Sequence, residues 1–185
     1  MLAKKSHLPS KLHEPDHPLL TDKSSRVTHL RPVVLFSDIK NEQGALEALA
    51  EMMELRIYNP NGTIITEGET GAEFFILIDG EAGVYKSTPE NDMYKVAILK
   101  GSQHACFGEG GLLGTDSRSA TIKAETICHC LVLNGTAFTA FGKVNPNWAL
   151  LVVLRISRAI VDRMRSANND LLLLYNALVA EIRGR

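Results

Sequence analysis

The sequence has few cysteines, no long apolar run and almost no net charge, and each shortage argues against a class of protein. Three cysteines, an odd number, argue against a disulfide framework and fit a reducing compartment. The longest apolar run, Ala149–Leu154, is far too short to span a bilayer, and the first residues lack the apolar core of a signal peptide. A net charge of −1 gives no bulk attraction for nucleic acid. We therefore expect a cytoplasmic protein that does not enter a membrane.

The chain does have enough apolar side chains for a core. Hydrophobic residues make up 45% of its 185 positions, which suits one domain with extensions. Residues 1–31 contain three prolines and show no apolar period, so we predict a disordered tail. We expect a folded unit over residues 32–145 and separate helices over 146–185. The spacing of the tail histidines matches no standard metal site; these are His7, His13, His17 and His29.

Apolar periodicity indicates a mainly β domain after a first helix. A helical stripe covers Asn41–Met53, and the period then changes to two. Phe74–Ile78 is a continuous apolar run, which predicts a strand buried on both faces, and Asp79-Gly80 predicts a hairpin after it. Turn signals separate about eight short strands at even spacing. This pattern is typical of an antiparallel sandwich or jelly roll.

The last part of the sequence is helical. Asn134 can cap a short helix that ends at Phe141, and Asn145-Pro146 is a second helix start. We expect that helix to run to about Ala167, with Asn168-Asn169-Asp170 either breaking it or capping another. Apolar residues recur at a spacing near 3.5: Val153, Ile160, Met164, Ala167, Leu171, Leu174 and Leu178. This row can pack on the β domain or on a second copy of the chain, and its length favours dimerisation.

The stretch at 107–124, FGEGGLLGTDSRSATIKA, concentrates residues suited to a small anionic ligand. Its glycines allow close backbone approach, and the amides that start a short helical turn favour an anion. Arg118 can hold a phosphate through two parallel hydrogen bonds. Glu109 would repel a phosphate, so its natural task is to accept hydrogen bonds from a hydroxyl. The predicted ligand therefore carries one anionic group with a hydroxyl nearby.

This stretch resembles the phosphate-binding cassette of cyclic nucleotide-binding domains, and the resemblance extends over roughly Leu35–Met164. The matching positions are Phe107, Gly108, Glu109, Leu112, Arg118, Ala120 and Thr121. The resemblance implies that Glu109 takes the ribose 2′-hydroxyl, that Arg118 takes the cyclic phosphate, and that the amides of Gly110 and Gly111 complete the cradle. Position 110 departs from the family pattern, because a large apolar residue is usual where this chain has Gly110.

The resemblance also implies the fold and the function. It predicts an eight-stranded antiparallel β-roll, flanked by an N-terminal helix and by C-terminal helices that act as lid and relay. It predicts a non-catalytic receptor with no cofactor and no metal, whose ligand is cAMP rather than cGMP because Ser119 follows Arg118. The expected partners are a second copy or a protein effector, without a DNA-binding module, since few residues follow Ala167. The ligand-binding residues are Phe107, Gly108, Glu109, Gly110, Gly111, Leu112, Arg118, Ser119, Ala120 and Thr121.

Two other functions compete with this interpretation. The first is a dimeric interaction protein whose nucleotide pocket is vestigial. The second is a jelly-roll metalloenzyme, which needs three or four inward ligands, whereas the barrel region offers the imidazoles of His104 and His129. On a strand Cys128 and Cys130 share one face and His129 points to the other, so we expect two buried thiols rather than a metal site. Cys106 is likewise expected in the core.

Overall fold

A computed structural model describes residues 22–184 of the chain, except positions 91 and 115. The helices are α1 Lys23–Leu30, α2 Ala45–Met52, α3 Gly110–Leu113, α4 Gly135–Val144 and α5 Pro146–Arg183, with 3₁₀ turns at Val34–Phe36 and Gly101–Gln103. The strands are β1 Met53–Tyr58, β2 Thr63–Ile65, β3 Thr70–Gly71, β4 Glu73–Asp79, β5 Glu81–Ser87, β6 Met93–Lys100, β7 Cys106–Phe107, β8 Asp116–Ser117, β9 Thr121–Ala124 and β10 Cys128–Asn134.

The strands form antiparallel sheets, which confirms the β-roll with flanking helices. One sheet has the order β1-β10-β4-β7 and the other has the order β2-β9-β5-β6, while β3 and β8 pair separately. The described residues contain ten strands rather than the expected eight. The difference comes from two-residue pairings, such as Thr70–Gly71 with Asp116–Ser117, which are too short to leave a periodic signal.

Strand β4 lies at the centre of the core. Its side chains alternate between two apolar clusters: Phe74, Ile76 and Ile78 face the helices, whereas Phe75 and Leu77 face the second sheet. Both faces of this strand are therefore covered, which confirms the prediction from its unbroken apolar run.

The predicted hairpin at Asp79-Gly80 is wrong. Strand β4 belongs to one sheet and β5 to the other, so the turn carries the chain between sheets instead of joining paired strands. Gly80 has φ 87°, and a Cβ at this position would lie 2.1 Å from the carbonyl oxygen of Ile127. Glycine is required here by that close approach as well as by its backbone angle. The paired strands that follow this turn are β5 and β6, which are antiparallel neighbours.

Part of the segment that was expected to be a disordered tail is folded. Residues 1–21 lie outside the described part of the chain, but Lys23–Leu30 is a helix whose Val27 and Leu30 are buried. These two residues pack in the same cluster as Leu46 and Leu49 of α2. A local stretch with little apolar content is ordered here because a distant helix supplies the partner surface.

The helix starts and ends differ in part from expectation. The predicted first helix begins at Ala45 instead of Asn41, after Gly44 with φ 83°. The Asn134 side chain accepts a 2.8 Å hydrogen bond from the Thr136 amide, which confirms it as the cap of α4. Helix α5 starts at Pro146 as expected but continues unbroken through Asn168-Asn169-Asp170 to Arg183, a length of 38 residues.

Within the described residues, no helix combines the length and apolar character needed to cross a membrane. The same part of the chain brings together no set of three or more histidine, cysteine, aspartate or glutamate side chains placed to hold a metal ion.

Candidate functional site

The predicted cassette borders a cavity of about 360 Å³. Eight of the ten predicted ligand-binding residues line it: Phe107, Gly108, Glu109, Gly110, Gly111, Arg118, Ser119 and Ala120. Apolar side chains from the second sheet form the opposite wall, which consists of Ile65, Val84, Leu99 and Ile122, and α5 adds Ile160 and Arg163. The cavity thus combines an apolar wall with a few convergent polar groups, as ligand pockets usually do.

The two remaining predicted residues lie behind the cavity wall. Leu112 is 5% exposed and packs in the core with the helices. Thr121 is equally buried, and its hydroxyl accepts a 2.9 Å hydrogen bond from the Glu67 amide. The structure therefore gives both residues a supporting position rather than one in contact with the cavity.

The guanidinium of Arg118 is held against the first sheet by backbone carbonyls. It donates to the carbonyl oxygen of Glu73 at 2.7 Å and to that of Gly108 at 3.3 Å, and it lies 6.0 Å from the centre of the Phe75 ring. The Arg118 amide also donates to the Glu69 carbonyl at 2.8 Å. Backbone and side chain are both anchored, so the charge has a fixed place at the cavity.

Glycine makes room for this arginine at two positions. A Cβ at Gly71 would lie 2.5 Å from Nε of Arg118, and a Cβ at Gly108 would lie 2.8 Å from its Nη1. Gly108 also has φ 73°, in the left-handed region that favours glycine. The glycines on either side of the guanidinium are thus part of what positions it.

Glu109 meets a partner that the sequence did not indicate. Its Oε1 accepts a hydrogen bond from Nη2 of Arg163, on α5. The Glu109 side chain is 14% exposed, whereas that of Arg163 is 66% exposed. The carboxylate is therefore set in the cavity wall, and the arginine reaches it from the solvent side.

The short helix α3 packs directly on the strand that holds Arg118. A Cβ at Gly111 would lie 2.7 Å from the amide nitrogen of Glu73 and 2.8 Å from its carbonyl oxygen. The Gly111 amide donates to the Gly108 carbonyl at 2.9 Å. This amide, one of the two expected to cradle a phosphate, is engaged in the turn of α3.

The peptide after Arg118 is supported by a charged pair, with Lys86 on β5 of the second sheet and Glu67 in the turn between β2 and β3. The Lys86 ammonium donates to the Ser119 carbonyl and, at 2.8 Å, to Glu67 Oε1. The hydrogen bonds from Lys86 and from the Ser87 amide lower the pKa of Glu67 below its usual value. Glu67 thus stays ionised at neutral pH, and Lys86 ties the cassette to β5.

The thiols behave as buried groups. Burial, followed by the charge of Glu109, raises the pKa of the Cys106 thiol to about 12, so this cavity-lining side chain is not a thiolate at neutral pH. Cys128 and Cys130 are fully buried on one face of β10, as predicted, and the His129 side chain is 12% exposed.

The first part of α5 is the part that packs in the core of the domain. Ala149, Val152 and Ile156 are buried in the core. Arg155 makes a bidentate contact with Asp38, with Nε 2.6 Å from Oδ2, and this hydrogen bond lowers the pKa of Asp38. Beyond Ile156 the described residues of α5 are largely exposed.

The resemblance predicts C-terminal helices that act as a lid, but the sequence does not show which residues of α5 reach the cavity. Ile160 belongs to the predicted apolar row, and Arg163 carries no signal in the sequence that connects it with the cassette. Their spacing of three residues places them on one side of a helix, but it does not tell which element that side meets. The apolar wall was not identified either, since its residues come from four different strands.

Comparison with known proteins identifies relatives that bind or depend on cyclic nucleotides by name. The family model described as Cyclic nucleotide-binding domain matches residues 55–145. The chain is 35% identical over 112 residues to cGMP-dependent protein kinase 2 of Homo sapiens, and 33% identical over 95 residues to the cAMP-dependent protein kinase regulatory subunit of Mycosarcoma maydis. These stretches cover 59% and 51% of this chain but 14% and 17% of the two relatives.

A solved structure matches the fold over most of both chains. The crystal structure of a cyclic nucleotide-binding domain from Methylobacillus flagellatus KT has a TM-score of 0.67 and 22% identity, and the match covers 81% of this chain and 82% of that one. Residues 55–145 therefore match the cyclic nucleotide-binding domain family in sequence, and the described residues share the fold of a solved domain of that kind.

Proposed function

We propose that the protein is a non-catalytic receptor for a cyclic nucleotide, with cAMP preferred over cGMP, and that the ligand changes the state of α5 to regulate a partner. The observation that carries this proposal is that Glu109 and Arg118 line one cavity together with two residues of α5. A receptor needs a pocket for its ligand and an element that responds when the pocket is occupied. The cavity and helix α5 would supply these two parts.

The chemistry of the two charged residues fits the two ends of the ligand. Arg118 supplies a permanent positive charge for the cyclic phosphate, which would replace a carbonyl as the acceptor of its N–H groups. Glu109 supplies an acceptor for the ribose 2′-hydroxyl. The apolar wall suits a purine, and a cavity of about 360 Å³ is within the range of small-molecule sites.

The preference for cAMP rests on Ser119, which lines the cavity beside Arg118. In the family, cGMP-selective members tend to have threonine at this position. The relatives include proteins whose names specify cGMP and others whose names specify cAMP, so the choice depends on this side chain and not on the similarity.

Titration calorimetry on the whole chain tests the proposed function. We expect cAMP to bind with one site per chain and more tightly than cGMP, while 5′-AMP, which lacks the cyclic phosphate, binds much more weakly. A folded protein that binds none of the three would contradict the receptor function. It would favour the alternative of an interaction protein with a vestigial pocket.

The partner that we propose for α5 is a second copy of the chain. Met164, Ala167, Leu171, Leu174 and Leu178 follow the alternating spacing of four and three that places one row along a helix. Leu171 and Leu174 are 66% and 68% exposed in the single chain. The α5 helices of two copies can pack in a coiled coil with these rows facing each other, which would bury both rows.

Sedimentation equilibrium tests this assembly. We expect a dimer for the wild type and a monomer for Leu174→Glu, which places a charge in the apolar row. Asn176→Glu adds the same charge to the opposite side of α5 and is expected to remain dimeric. A monomeric wild type at high micromolar concentration would exclude the homodimer. A protein effector would then be the expected partner of the apolar row.

A further inference from the structure

Helix α5 contributes a charged group to the cavity, and that group already contacts a proposed ligand-binding residue. Ile160 and Arg163 are one helical turn apart and both line the cavity. Nη2 of Arg163 donates to Oε1 of Glu109. Of the residues that line the cavity, all of them in the described part of the chain, Glu109 is the one carboxylate, and Arg163 contacts it.

The two partners differ in how firmly the protein holds them. Glu109 is 14% exposed and lies at the start of α3, next to the anchored strand β4. Arg163 is 66% exposed and extends from the part of α5 beyond the last buried residue, Ile156. A long flexible side chain can leave such a contact by rotating its stem, whereas the carboxylate has little room to move.

We propose that Arg163 competes with the nucleotide for Glu109. In the ligand-free protein the guanidinium occupies the carboxylate that would accept the ribose 2′-hydroxyl, and the ligand must displace it. This inference rests on the proposed function. It adds to it a specific residue that sets affinity and that reports occupancy of the site to α5.

Competition follows from where the guanidinium lies. It lines the cavity beside Glu109, and it uses the same acceptor as the ligand's 2′-hydroxyl. Displacement does not require α5 to leave. Ile160 can stay at the cavity mouth and pack on the base while the exposed arginine turns outward.

The size of the effect is limited by the exposure of the pair. Exposed ion pairs are weak and screened by salt, so removing the competing partner is expected to raise affinity by about two- to fivefold. The gain is restricted to ligands that carry the 2′-hydroxyl. A ligand without it has no use for Glu109 and does not need to displace Arg163.

The test compares cAMP with 2′-deoxy-cAMP on the whole chain by titration calorimetry. For Arg163→Met we expect about two- to fivefold tighter binding of cAMP and unchanged binding of 2′-deoxy-cAMP. The matched control is Arg165→Met, two positions along the same helix, where the arginine is 72% exposed and contacts Asp162. It is expected to leave both affinities unchanged. Arg163→Lys keeps the charge but loses the planar guanidinium with its several N–H donors. Its affinity for cAMP is expected to fall between those of the wild type and Arg163→Met.

Each outcome decides between the proposals. Weaker binding of cAMP to Arg163→Met would overturn competition and make Arg163 a supporting contact of the ligand. An equal gain for both analogues, or no gain for either, would overturn the link through Glu109 and leave the receptor function intact. Failure of every variant to bind would overturn the proposed function and this inference with it.

Discussion

The guanidinium of Arg118 donates a 2.7 Å hydrogen bond to the backbone carbonyl of Glu73, 45 residues earlier in the chain. The cassette arginine is thereby fixed to β4, the strand at the centre of the core. Its position depends on long-range packing even though the cassette itself is a local motif. An anion that enters the cavity meets a charge that is already in place, so little of the binding free energy is spent on ordering it.

Replacement of Arg118 tests the phosphate contact. We predict that Arg118→Ala lowers cAMP affinity at least about tenfold, because a charge-assisted hydrogen bond contributes on the order of 1.5–3 kcal/mol. Calorimetry measures the loss, and thermal unfolding measures a moderate loss of stability, since two carbonyls lose a donor. Arg158→Ala, on α5 and outside the cavity lining, is the control. A folded Arg118→Ala variant that binds as well as wild type would remove Arg118 from the site.

Ser119 is predicted to set the choice between the two nucleotides. We expect Ser119→Thr to move the preference from cAMP toward cGMP, because threonine keeps the hydroxyl and adds a methyl group at the cavity wall. A change of this size shifts selectivity by about 1–3 kcal/mol at most. The measurement is the ratio of the two dissociation constants in wild type and variant. A wild type that prefers cGMP would overturn the choice of ligand but not the site.

Gly111 is predicted to be required for the packing of α3 on β4. In Gly111→Ala the new methyl group would lie less than 3.0 Å from backbone atoms of Glu73 and Ala72. Backbone atoms cannot move aside as a flexible side chain can. We expect a loss of about 1–3 kcal/mol in the free energy of unfolding, with weaker cAMP binding because α3 carries the cassette. Urea denaturation gives the first quantity and calorimetry the second.

Gly142→Ala is the matched control for this substitution. Its new methyl group would meet the Ala149 side chain at 3.3 Å, and alanine favours a helix interior over glycine by about 1 kcal/mol. We expect unchanged or slightly higher stability and unchanged binding. Equal losses in the two variants would show that the tight contact at Gly111 is not the cause.

Features encoded by neighbouring residues were predictable from the sequence. The cassette, the cap at Asn134 and the doubly buried strand β4 depend on residues within one or two turns or one strand. For these the local chemistry leaves few alternatives. The apolar pattern of Phe74–Ile78 even implied the two packing surfaces, because alternate side chains of a strand face opposite sides.

Features that depend on distant partners were not predictable. Val27 and Leu30 form a helix because α2 covers them, and Asp79-Gly80 joins two sheets because β5 pairs with β6 and β9 rather than β4. The pair between Arg163 and Glu109 joins residues 54 positions apart. A basic helix face looks the same in a sequence whether it meets water or a carboxylate across a cavity.

The last prediction concerns the response of α5 to the ligand. A receptor acts on a partner only if its two states differ in something the partner can sense, and a packed β-roll is expected to move little. The contact of Asp38 with Arg155 and the burial of Ile156 hold the first part of α5 in both states. Ile160, at the cavity mouth, would gain a contact with the bound base. We therefore predict that cAMP slows amide hydrogen exchange over residues 157–178 while exchange over 146–156 stays unchanged.

The control for this experiment is Arg118→Ala at the same cAMP concentration. This variant is expected to bind too weakly to respond, so it shows any effect of the nucleotide that does not depend on binding. Protection limited to residues 107–121, with α5 unaffected, would mean that the domain binds the nucleotide without passing the event to this helix.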